Sequence, residues 1–127
     1  MVRKSETRSK VKSLEDWFYG KPPVTRALFD HFVREYQRIG NVTTRGAKSM
    51  IVMTTPRKGI AYVVPKKQAI DVVFPFKEGY PDNLCFHKIA KVPIGPPQFN
   101  HHLRIQRMED VNDEVKKFMR LAYLKGC

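Results

Sequence analysis

No apolar run in this chain of 127 residues approaches the ~18–20 residues that a membrane-crossing helix needs. The opening segment, MVRKSETRSKVK, is basic and no apolar stretch follows it. A secretory signal is therefore not expected, and the expected compartment is the cytoplasm. Cysteine is scarce. Cys85 and Cys127 cannot make a disulfide framework and read as two reduced thiols. The phosphate-cradling patterns G-x-x-x-x-G-K-[ST] and G-x-G-x-x-G are both missing. Gly20-Lys21 does not replace them, because Pro22 and Pro23 follow and carry no N–H. The nucleophile elbow G-x-S-x-G is missing too.

Carboxylates are also sparse where they would matter. Between residues 41 and 107 the only acidic side chains are Asp71, Glu78 and Asp82. A metal nuclease needs clustered carboxylates around its cation, so that chemistry is not expected. A zinc deaminase lacks both of its signatures, H-x-E and P-C-x-x-C. Cys85, His87, His101 and His102 form one tempting constellation. However, His101 and His102 point to opposite faces of a strand, and neither C-x-x-C nor H-x₃-H spacing occurs. These histidines, and His31, read as surface or core-edge residues. Neither a catalytic residue, a metal nor a cofactor is assigned.

What the chain has is positive charge, unevenly placed. Its net charge is +12. Residues 1–12 hold five basic side chains and one acidic. Residues 41–107 hold eleven basic and three acidic, whereas residues 13–40 and 108–127 each balance four against four. A field of one sign in one region steers anionic partners. Tyr62, Phe74, Phe76, Tyr80, Phe86 and Phe99 are interleaved with these cations, a combination that single-strand binders use. No RNP-like or G-x-x-G motif accompanies it.

Along the chain, residues 1–12 lack an apolar period and read as a disordered basic arm. Residues 13–127 read as one domain, close to the usual size. Ser13 caps a short helix with Glu15 and Asp16 in its first turn, and Gly20 stops it. Pro22 and Pro23 open a second helix over 22–39, with Val24, Ala27, Leu28, Phe32, Tyr36 and Ile39 at helical spacing. The period then changes. Asn41–Thr44 reads as an edge strand, Arg45-Gly46-Ala47 as a turn, and Lys48–Thr55, Ile60–Val64 and Ala69–Phe74 as strands joined by tight turns. Residues 75–82 read as a loop, Leu84–Val92 as a weaker strand and His101–Arg107 as a strand with one solvent face. Asp110 is expected to cap the last helix. The expected fold is α+β: two N-terminal helices, a mostly antiparallel sheet of about five or six strands, and one C-terminal helix.

The run Phe18-Tyr19-Gly20-Lys21-Pro22-Pro23, with Arg26, Leu28, Phe32 and Val42-Thr43, resembles a small bacterial family of unknown function. The His102-Leu103-Arg104-Ile105 strand and the Ala122-Tyr123 helix ending resemble it as well. The resemblance spans about residues 13–125. It implies a shared α+β domain and supplies no site residues. Some members of that family are labelled "predicted transport protein", a label with no support in this chain, which has no membrane-spanning run.

The leading expectation is a non-enzymatic module that binds nucleic acid or another polyanion through Lys48, Arg57, Lys58, Lys66, Lys67 and Arg104. The Arg57-Lys58 and Lys66-Lys67 turns are expected at opposite ends of the sheet. A single basic patch would then depend on Lys48 and Arg104 along the strand face. The alternative is a small-ligand or protein-interaction domain with a pocket between helix 22–39 and the sheet.

Overall fold

The computed structural model describes residues 11–126. Ten residues of the expected basic arm therefore lie outside it. Its last residue, Lys12, packs onto the domain with its amine 4.3 Å from the centre of the Trp17 ring. Helix α1 (Leu14–Phe18) carries a capping box: the Ser13 hydroxyl accepts the Asp16 N–H, and the Asp16 carboxylate accepts the Ser13 N–H. Gly20 follows at φ 79°, a left-handed turn that a residue with a Cβ resists. Helix α2 (Pro23–Ile39) buries Leu28, Phe29, Phe32 and Tyr36, a stripe at the helical period.

Six strands follow: β1 (Thr43–Gly46), β2 (Ile51–Thr54), β3 (Gly59–Pro65), β4 (Ile70–Phe76), β5 (Lys88–Lys91) and β6 (Phe99–Ile105). They form one antiparallel sheet in the order β1-β2-β3-β4-β6-β5. A 3₁₀ turn (Met108–Asp110) leads to helix α3 (Asp113–Gly126). The architecture is α+β, with helices before and after the sheet. No helix among the described residues is long and apolar enough to cross a membrane.

Register decides which face each side chain takes. Ile51, Val63, Val72 and Leu103 stand in one row across four strands, and all are buried. This is the face that α2 and α3 cover. The adjacent row, Val52, Tyr62, Val73, His102 and Lys88, belongs to the opposite face, which no helix covers. The helices are tied together by Tyr36, whose hydroxyl donates to the Met119 carbonyl at 2.8 Å, and by Lys116, 3.3 Å from Glu35.

Several expectations move. Arg45 and Gly46 belong to β1, and Lys48 lies in the Ala47–Met50 turn, closed by the Ala47 N–H on the Met50 carbonyl. Lys48 is therefore not on a strand face. Gly46 pairs with Ile51, and glycine is required there because the chain leading into α1 crosses it: a Cβ would collide with the Lys12 carbonyl. The expected 84–92 strand shrinks to Lys88–Lys91, since Leu84 is held by Glu114 at 2.9 Å and Phe86 by Asn83. The β6 strand begins two residues earlier than expected and ends at Ile105. The cap of α3 is Asn112, whose side chain accepts the Val115 N–H. Asp110 instead accepts the N–H groups of Gln106 and Arg107.

Candidate functional site: a lysine-rimmed cleft

The hairpin of β3 and β4 begins as a regular ladder. The Lys66 N–H donates to the Ala69 carbonyl, which sets the phase. Val64 faces Asp71 and Tyr62 faces Val73, and each such pair exchanges both backbone bonds. The next exchange would join Ile60 to Pro75. Proline has no N–H to give, and the pairing ends at Tyr62 and Val73. Proline is tolerated inside β4 because its nitrogen faces β3 rather than β6, where Pro75 still pairs with Asn100.

On the other side of β3 a bulge assists. Thr54 pairs with Gly59 while Met53 pairs with Ala61, so Ile60 is the extra residue. Ile60 and Ala61 are consecutively buried, which turns both toward the helices. Gly59 is needed beside the bulge: a Cβ there would stand 2.9 Å from a Val52 methyl. The bulge and Pro75 together let the lower halves of β3 and β4 part.

A cleft of about 350 Å³ occupies the gap. Ile60 and Tyr62 line one wall, Pro75 and Phe76 the other, and Ala122 of α3 the floor. Lys58, Lys77 and Lys125 stand around it with Gln98, and no lining residue is acidic. All three lysines are exposed. Among the described residues, Lys58 and Lys77 have no carboxylate at ion-pair distance. Arg57 adjoins Lys58 in the turn between β2 and β3. That turn is held rigidly: the Thr55 hydroxyl accepts the N–H groups of Arg57 and Lys58 at 3.1 and 3.3 Å.

The Lys77 side is positioned by His101, which is fully buried. Its Nε2 accepts the Tyr80 N–H at 3.0 Å, and its Nδ1 lies 2.8 Å from the Phe99 carbonyl. A carbonyl only accepts, so Nδ1 carries the proton. Phe76, Tyr80 and Phe86 surround the ring, with centroids 5.0, 5.6 and 5.1 Å away. His101 thus pins the loop after β4 and serves the packing.

The cations expected from sequence divide between the two ends of the sheet. Arg57 and Lys58 lie at the cleft end. Lys48, Lys66 and Lys67 lie in the turns of the other end, and Arg104 is near them. Arg104 is already paired, bidentately, with Asp71 at 2.7 and 3.0 Å, and Lys66 is 4.0 Å from the same carboxylate. The single patch that depended on Lys48 and Arg104 is not formed. Lys77 and Lys125, which sequence reading placed in a loop and at a helix end, are the residues it missed. The signal was Pro75 within an otherwise alternating strand.

The remaining reactive groups do not converge. Burial, with Glu114 beside it, pushes the Cys85 thiol up to about 12, which suppresses the thiolate. Burial, with Lys88 and His87 nearby, holds His102 below the ordinary histidine value. Among the described residues, no three His, Cys, Asp or Glu side chains gather as a metal site would require. A second pocket, a largely apolar groove, runs along α3 beside Tyr80 and Pro81 and includes Phe118, Leu121 and Leu124. Neither pocket lies between α2 and the sheet. No family model, curated protein or solved structure matches this chain.

Proposed function

We propose that this chain is a nucleic-acid-binding module that meets a phosphate backbone with the cleft end of its sheet. The observation that carries this reading is the convergence of Lys58, Lys77 and Lys125, from three separate segments, on one cleft with no acidic lining residue. Three like charges held together raise the local anion concentration. The regional charge excess of residues 41–107 supports the same partner class.

The test is fluorescence anisotropy with a labelled 12-nucleotide single strand over a range of salt. Lys58, Lys77, Lys125 and Arg57 offer about four phosphate contacts. The logarithm of affinity should then fall against that of salt with a slope of roughly −2 to −3. Absence of binding at about 20 mM salt, with folded protein, would remove the proposal.

A second reading has its own observation, the cleft volume of about 350 Å³, which falls within the range of small-ligand sites, ~300–1,000 Å³. Under it the cleft takes a small free anion. A thermal upshift with such a ligand that persists at high salt would favour it.

A further inference from the structure

The parted strands offer more than charge. Gly59–Ala61 and Phe74–Phe76 keep their strand conformation but do not pair with one another. Backbone groups freed in this way need partners from water or a ligand. Tyr62 is half-buried at the wall of the cleft and offers an aromatic surface. Gln98 donates one amide hydrogen to Asn100 at 3.0 Å, which leaves its carbonyl and second N–H available. The cleft therefore combines an aromatic side chain, hydrogen-bonding edges and a cationic rim.

We infer that the cleft accepts one unpaired nucleotide of a single strand. Its base enters between β3 and β4 against Tyr62, and its phosphate rests at Lys58, Lys77 and Lys125. This rests on the nucleic-acid reading above and narrows it to single strands. A base already paired and stacked in a duplex cannot enter a cleft of about 350 Å³ without being extruded, which costs its pairing and stacking. A single strand presents its bases freely. Stacking on an aromatic side chain tolerates any base, so little sequence preference is expected.

The test compares dT12 with a 12-base-pair duplex at one salt concentration, for the wild type, Tyr62→Phe and Tyr62→Leu. The wild type and Tyr62→Phe should bind dT12 more tightly than the duplex. Tyr62→Leu should weaken dT12 binding at least about fivefold and duplex binding by less. Backbone amide NMR shifts of the wild type on adding dT12 give a readout independent of any variant's folding. They should centre on Ile60, Tyr62, Phe76, Lys77 and Gln98. Equal affinity for duplex and single strand, no effect of Tyr62→Leu, or shifts centred elsewhere would overturn the inserted base while leaving polyanion binding intact. Failure of both probes to bind would overturn both.

Discussion

At the scale of single residues, much of the site is held by polar groups whose partners lie far away in sequence. Thr25 is the clearest case. It is fully buried in the first turn of α2, and its hydroxyl lies 2.9 and 2.8 Å from the carbonyls of Lys66 and Lys67. Nothing in its neighbourhood, Pro-Pro-Val-Thr, announces that role. It binds the distant β3–β4 turn to α2 and not the cleft. Thr25→Val keeps the shape and strands both carbonyls. It should lower stability by about 1–3 kcal/mol in urea unfolding while leaving oligonucleotide affinity of the folded protein unchanged. Arg104 was legible as an outward cation on an alternating strand. Its ion pair with Asp71 was not, because that pairing depends on β6 lying beside β4.

At the scale of elements, the helices were the most legible parts. Their 3.6-residue stripes, the Ser13 cap and Pro23 at the start of α2 each act within a few residues. Strand boundaries were less legible because they depend on what each edge finds opposite. Pro75 reads as a terminator by itself, yet β4 continues through it to Phe76 since β6 needs no donor from it. The consequence falls on β3, and it opens the cleft. Pro75→Val restores the N–H that faces Ile60. It should extend the ladder, leave stability equal or higher, and weaken dT12 binding several-fold as the strands close over the cleft. Hydrogen exchange should show a protected amide at position 75. A closed ladder with undiminished affinity would disconnect the cleft from binding.

At the scale of the whole molecule, the turn cations expected at a binding site divide between two ends of the sheet. The β3 strand separates its two turns by roughly 20–25 Å at ~3.3 Å per residue, more than twice the Debye length of ~8 Å in physiological salt. The ends should therefore act independently. Lys58→Glu with Lys77→Glu should lower single-strand affinity more than about tenfold in physiological salt and reduce the salt slope by about 1.4. Lys66→Glu with Lys67→Glu should change affinity less than about threefold, as screening predicts. Anisotropy titrations of the two double variants distinguish the ends, and an equal loss in both would contradict the assignment. The sequence by itself determined the α+β class, the helices with most of their caps, and the excess of charge on the sheet region, because periodicity, capping and charge count are local or additive. Tertiary structure alone decided that Lys58, Lys77 and Lys125 meet, that Arg104 is paired, and that a proline opens a cleft. Each of these is a relation between segments brought together by strand pairing, and pairing is set by register across the sheet.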